Sequence, residues 1–213
     1  MNTLHQLLQL PLGTQLAVNN WESHVYELGE EWVYKEIRTE HELDTATKHY
    51  DSRYTLQRFW CSDTHFHNMQ HDSSVLRTAL KDWWPQSFIT RQPSRFNDNP
   101  HAIVTIQQRL RGRLLKDMPE YTSENLERLR NTVHTVVNVL RAPLDFHPGN
   151  IIVIPETDTV YFFDTGTPSD WKFLLDPTRL QTAIDIPTDE AVAFVDFMRP
   201  IHARHIANCT AAS

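Results

Sequence analysis

Alternation of apolar and polar positions marks the first forty residues. His24–Leu28 and Trp32–Ile37 each alternate with period two and are separated by Gly29-Glu30-Glu31, a composition suited to a hairpin turn. Leu16-Ala17-Val18, ahead of Asn19-Asn20, reads as an earlier strand. A polar helical stretch is predicted from about Glu42 to Trp60. Residues 61–100 show no clear period and read as irregular, with Trp83, Trp84 and Pro85 as packing anchors and 93–100 as a turn-rich connector. Ala102–Leu110 reads as another strand, closed by Arg111-Gly112.

Helical spacing takes over afterwards. Leu126, Leu129, Val133, Val136, Val137 and Leu140 recur on one face, Ser123 is a good N-cap, and Glu124 and Glu127 favour the positive end of the helix dipole. The spacing predicts a helix over 123–141, stopped by Pro143. Ile151–Ile154 and Val160–Phe163 read as two short buried strands around a turn at Glu156-Thr157-Asp158. A last amphipathic helix is predicted over about 188–206, followed by a loose NCTAAS end. This order predicts an α+β chain of one domain, 1–213. Its sheet-rich N-terminal lobe would run over about 1–111 and its smaller helical lobe over about 112–213, with the cleft between them as the natural ligand site.

Composition narrows the class. Of the 213 residues 40% are hydrophobic and 22% charged, an ordinary globular balance. No apolar run approaches ~18 residues, so no spanning helix is expected, and the N-terminus reads as a short amphipathic lead-in rather than a secretory signal. Cys61 and Cys209 are too few and too far apart for a disulfide framework, which points to a reducing, cytoplasmic setting. A net charge of -7 argues against a nucleic-acid footprint. Cys61, His65, His67 and His71 form C-x3-H-x-H-x3-H, which does not match zinc-ligand spacing; among Asp63, Asn68, Gln70 and Asp72 it reads as a solvated loop.

The informative segment is LDFHPGNIIVIPETDTVYFFDTG, residues 144–166. Asp145 lies in a loop after the long helix, Asn150 five residues on, and Asp164 just past the strand pair. Phosphoryl transfer needs a carboxylate to orient and deprotonate an acceptor hydroxyl, and oxygen ligands to hold Mg2+ against phosphates. Asp145 suits the first task. Asn150 and Asp164 suit the second, because Mg2+ prefers hard oxygen ligands and uses few protein groups. Taken singly, Asp145 is an ordinary turn former and Asn150 an ordinary backbone-capping residue; their spacing with Asp164 favours the chemical reading.

Pro143-Leu144-Asp145-Phe146-His147-Pro148-Gly149-Asn150 resembles the catalytic loop of the protein-kinase-like superfamily, above all its aminoglycoside-phosphotransferase and atypical-kinase branch, where the loop often reads HGDLHPGN. Asp164-Thr165-Gly166 resembles the metal-binding Asp-Phe-Gly element. Lys35 on the third strand resembles the phosphate-contacting lysine, Ser23-His24-Val25-Tyr26 the end of the nucleotide-covering loop, and Gln107–Gly112, which includes Gln108, the hinge that receives adenine. The match runs in order over roughly 14–170. It implies a two-lobed kinase-like fold, ATP and Mg2+ as cofactors, Asp145 as base, and Asn150 and Asp164 as metal ligands. Lys35, Ser23, Gln108 and Glu42 would serve the nucleotide, with Glu42 or Asp51 as the acidic partner of Lys35. The acceptor would be a small molecule or a protein bearing a hydroxyl.

The chain departs from the family in three places. Its nucleotide loop, VNNWES, has no glycine; Asn19 and Asn20 could substitute by adopting left-handed conformations. Pro143 replaces the loop histidine, and little chain follows Asp164. These departures motivate a second expectation, a pseudokinase acting as a nucleotide- or protein-binding scaffold. Transfer of AMP rather than phosphate would use the same ligands. His147 reads as a hydrogen-bonding residue of the loop.

Overall fold

The structure, a computed structural model, describes residues 3–17, 20–43, 52–164 and 166–210. The chain divides into two compact units: Met1–Phe66 with Gln86–Arg109, and His67–Pro85 with Leu110–Ser213. The fold class is α+β.

In the first unit, strands β1 (Leu12–Gln15), β2 (Ser23–Leu28), β3 (Trp32–Ile37), β4 (Ser87–Gln92) and β5 (Ala102–Gln108) form an antiparallel sheet in the order β1-β2-β3-β5-β4. The β2–β3 hairpin turns at Gly29, whose φ of 63° is one that glycine adopts without strain. Helix α1 (Leu4–Leu8), closed by a Thr3–Gln6 capping box, inserts Leu7 among Leu28, Tyr34, Val104 and Ile106. The first strand lies earlier than the apolar run at 16–18. Leu12 pairs with Leu28, the register shifts before Gln15, and Leu16 keeps one bond, its N–H donating to Val25 O at 2.8 Å. β4 lies within the stretch read as irregular.

A buried polar knot fixes the 93–100 connector. The carboxylate of Glu36, 1% exposed, accepts from Tyr34 OH (2.6 Å), Ser94 Oγ (2.5 Å) and Arg95 N (3.2 Å). The Arg95 guanidinium lies over the Tyr34 ring and donates to Leu8 O and, at 2.8 Å, to Leu10 O. Burial, then the adjacent Glu36 carboxylate, pushes the Tyr34 hydroxyl far above its ordinary pKa, so it remains a donor.

The second unit is mainly helical. Helix α4 (Glu124–Leu140) begins at Ser123, whose hydroxyl accepts from Leu126 N, and ends at Arg141 in the left-handed region. Leu126, Leu129, Val133, Val136 and Val137 form its buried stripe. They pack with Ile151, Val153, Val160 and Phe162 of β7 (Ile151–Ile154) and β8 (Thr159–Phe162). β6 (Arg113–Leu114) completes a three-stranded sheet in the order β6-β7-β8. A Cβ at Gly112 would meet Val153 O at 2.5 Å, so only glycine allows that close approach.

Three expectations need correction here. Residues 63–80 are helical: α3 (Asp63–Leu80) follows α2 (Ser52–Trp60) directly. His65, His67 and His71 therefore ride on a helix, with His65 buried and His67 and His71 exposed, rather than in a solvated loop. Among the described residues no group of three His, Cys, Asp or Glu side chains is placed to hold a metal. After two short helices, α5 (Trp171–Leu174) and α6 (Pro177–Ile184), the last helix α7 (Thr188–Thr210) runs past Ile206. Cys209 is fully buried in the core, its Sγ donating to Leu144 O, instead of lying in a frayed end. No helix among the described residues is long and apolar enough to cross a membrane.

Candidate active site

The loop after α4 carries its polar residues between buried anchors. Leu144 and Phe146 are both in the core, and Phe146 meets Phe162 edge-on at 5.1 Å. Phe146 N donates to Leu144 O at 2.8 Å, closing a three-residue turn with Asp145 at its apex. The apolar neighbours point inward, so the carboxylate between them is presented outward.

Pro148–Asn150 forms a single 3₁₀ turn capped by His147, whose Nδ1 accepts from Gly149 N at 3.0 Å. This fixes the His147 tautomer, because an accepting Nδ1 leaves the proton on Nε2. That Nε2 faces Asp145 Oδ2 at 3.6 Å. A Cβ at Gly149 would come within 2.7 Å of His147 Cε1 and 2.9 Å of Nδ1, so glycine is what lets the ring cap the turn. The sequence reading of His147 as a hydrogen-bonding residue matches this geometry.

Asn150 ties the three motif residues together. Its Nδ2 donates to Asp145 O (2.9 Å), Asp145 Oδ2 (3.1 Å) and Asp164 O (2.9 Å). Three acceptors around one side of the amide assign that side to the NH2 group. Oδ1 therefore points the other way, and no described residue donates to it. Phe163 N donates to Asn150 O at 3.0 Å, which brings the end of β8 beside the loop. Asp164 then adopts φ 57°, a conformation that aspartate tolerates better than most residues and that recurs at functional sites. Thr165 lies outside the described residues.

The segment after Asp164 is pinned by two buried carboxylates that sequence reasoning did not single out. Asp72 on α3 accepts from Ser169 N and Ser169 Oγ, both at 2.8 Å. Asp170 accepts from Asn68 Nδ2 at 2.8 Å and from Thr167 Oγ1. A third missed residue is His205 of α7, whose Nε2 lies 3.2 Å from Asp145 Oδ1. No local motif marks it; only the fold brings position 205 to position 145.

The remaining predicted residues belong to the first unit. Lys35 sits mid-β3, in register with Val25 and Thr105. Ser23 opens β2, and its N–H and that of Glu22 both donate to Asn20 Oδ1, at 3.2 and 2.8 Å. Asn20 thus acts through its side chain and does not take the left-handed conformation expected of it. Val18 and Asn19 lie outside the described residues, as does Asp51. Glu42 sits in the 3₁₀ turn Glu40–Glu42 rather than on a long helix. Its Oε1 meets His24 Nε2 at 2.6 Å, and its Oε2 accepts from Thr39 N (2.8 Å), Thr39 Oγ1 (3.1 Å) and Asn97 Nδ2 (3.1 Å). Gln108 N donates to Gln86 O (2.8 Å) and Arg109 N to Glu31 O (2.7 Å), so these two hinge amides are engaged within the unit.

No family model matches the chain, and no curated protein matches it. Among solved structures, the Cydia pomonella granulovirus kinase PK-1 is similar at 13% identity and a TM-score of 0.44, over 76% of this chain and 53% of that one. WbdD, crystallised with the kinase inhibitor LY294002, is similar at 16% identity and a TM-score of 0.42, over 92% of this chain and 46% of that one. The chain thus spans about half the length of the structures it matches. Likeness at this level assigns neither an activity nor a substrate.

Proposed function

We propose that this protein is a kinase-like phosphotransferase using ATP and Mg2+, with Asp145 as the base, Asn150 and Asp164 as metal ligands, and Lys35 as the phosphate contact. The observation that carries this reading is the Asn150 amide, whose NH2 binds Asp145 and the backbone oxygen of Asp164 together and leaves Oδ1 out of those bonds. An amide oxygen without a donor, beside two aspartates, is a hard-oxygen set of the kind Mg2+ takes. When bound, Mg2+ supplies charge neutralisation for the phosphates. Asp145 is held at the apex of its turn to receive the proton of an acceptor hydroxyl as that oxygen bonds to phosphorus and the nucleoside diphosphate departs. The acceptor is a hydroxyl of a small molecule or a protein.

The test is ATP turnover with Mg2+. Asp145→Ala is expected to lower kcat by about 100-fold or more, with nucleotide affinity changed by no more than about threefold, since the base contacts the acceptor rather than the nucleotide. Unchanged turnover in Asp145→Ala would remove the assignment.

One observation favours a second reading, a scaffold that binds nucleotide weakly. In phosphate-binding loops the backbone amides point at the ligand; here Asn20 Oδ1 occupies those of Glu22 and Ser23. Wild-type protein that turns over no ATP yet binds a protein partner would support it.

A further inference from the structure

The loop that leads into β2 is held at its acceptors as well as its donors. Asn20 Oδ1 takes the amides of Glu22 and Ser23. Arg38, the residue after β3, takes the carbonyls. Its Nε donates to Asn20 O at 3.1 Å and its N–H to Glu22 O at 3.0 Å. Helix α2 adds a further hold through Gln57, which is fully buried. Its Nε2 donates to Glu22 O at 3.2 Å and to Arg38 O. Cys61, just past the helix, donates Sγ to the same Arg38 O at 3.3 Å, and Trp60 packs against Trp21 of the loop with ring centroids 5.4 Å apart. All of these residues belong to the first unit.

Two carbonyls against one side of the Gln57 amide assign that side to its NH2 group. The opposite atom, Oε1, is buried without a partner among the described residues, a cost that an apolar side chain of the same length would not carry. What glutamine supplies at this position is a pair of donors that ties α2 to the loop and to Arg38 at once. The loop itself, VNNWES, has no glycine, and its amides at 22 and 23 are occupied by Asn20. The Ser23 hydroxyl has no partner among the described residues, which leaves it as a donor free for a ligand.

We infer that Gln57 is a positioning residue for the nucleotide-covering loop, latching residues 20–23 onto α2 and so fixing the Ser23 hydroxyl for a nucleotide phosphate. The inference rests on the reading of Ser23 as a nucleotide contact. A loop ordered before its ligand arrives has less conformational freedom to lose on binding. Backbone amides already engaged by Asn20 cannot wrap a phosphate, so the contribution of this loop depends on where it holds its one free hydroxyl. Helix α2 thereby becomes part of the nucleotide site without touching the ligand.

The test uses the full chain, with ATP and Mg2+ as the probe. Gln57→Met keeps the length of the side chain and removes both donors, while Glu22 O keeps its bond from Arg38 N and Arg38 O its bond from Cys61. ATP affinity is expected to fall about tenfold, with kcat at saturating ATP changing by less than about threefold. Ser23→Ala is expected to weaken ATP binding about five- to tenfold in the wild type but less than about twofold in Gln57→Met, where the hydroxyl is no longer held in place. Amide hydrogen exchange of the ligand-free protein is a readout independent of ATP. The Glu22 and Ser23 amides should exchange about tenfold faster in Gln57→Met, with those of the β3–β5 ladder unchanged. Unaltered exchange at 22 and 23, or acceleration spread evenly over the sheet, overturns the inference. So does wild-type or tighter ATP binding by Gln57→Met, or a Ser23→Ala loss of equal size in both backgrounds. If Gln57→Met does not fold, the wild type decides: amides at 22 and 23 as slow as those of the ladder support the latch, and amides exchanging like an open chain overturn it. A wild type that binds no ATP, or Ser23→Ala with wild-type affinity, would instead overturn the reading on which the inference rests.

Discussion

Asn150 and Glu42 show how a polar side chain can be spent on chemistry or on architecture. Asn150 was read as a metal ligand from its place in a motif, and Glu42 as one of two candidate acidic partners of Lys35. Asn150 commits only its NH2 group to the fold, so its oxygen remains usable. Glu42 commits both carboxylate oxygens, joining β2 through His24, its own turn through Thr39, and the 93–100 connector through Asn97. Partial burial opposes ionisation of Glu42, but the Thr39 N–H and the His24 contact outweigh it and hold the carboxyl below its ordinary pKa. A depressed folded-state pKa means the unfolded chain binds the proton more readily, so this contribution is present above the unfolded pKa and is lost as pH falls through the folded one. Urea denaturation from about pH 5 to about pH 3 should therefore show wild type losing more stability than Glu42→Gln. Equal losses would mean that Glu42 titrates alike in both states.

At the scale of elements, regular periods were legible and compromised ones were not. The α4 stripe, the β2–β3 hairpin and the β7–β8 pair appear within a few residues of their predicted bounds: α4 and β7–β8 each bury an unbroken apolar set, and the hairpin is marked by its turn at Gly29. α3 was missed because two of its buried positions are polar. His65 and Asp72 share the buried face with Leu76 and Leu80, which breaks the apolar repeat in the first and third turns. Asp72 can occupy such a position because Ser169 satisfies both its oxygens. The Asp145–Asn150–Asp164 grouping was legible from one continuous stretch of sequence, whereas Asp72, Asp170 and His205 belong to interactions separated by up to about a hundred residues, which no local pattern encodes. Asp72→Ala leaves the Ser169 N–H and hydroxyl without their acceptor. It should lower unfolding stability by about 1–3 kcal/mol and raise amide exchange over residues 166–170. A stability unchanged within error would show that Ser169 finds other partners.

At the scale of the molecule, each unit has its own apolar cluster. Leu7, Leu28, Tyr34, Val104 and Ile106 form one, and the α4–β7–β8 face with Leu144, Phe146 and Cys209 forms the other. The base and metal ligands proposed here all lie in the second unit, on a loop and a strand end braced by that core. The claim that these residues hold a Mg2+–nucleotide can be tested without knowing the acceptor, by thermal or chemical unfolding with ATP and Mg2+. A ligand near ~100 Kd that binds only the native state adds about 2.7 kcal/mol. The account predicts a Mg2+-dependent gain approaching that size in the wild type and its loss in Asp164→Ala. No gain in the wild type under saturating conditions, or a full gain retained by Asp164→Ala, would contradict it.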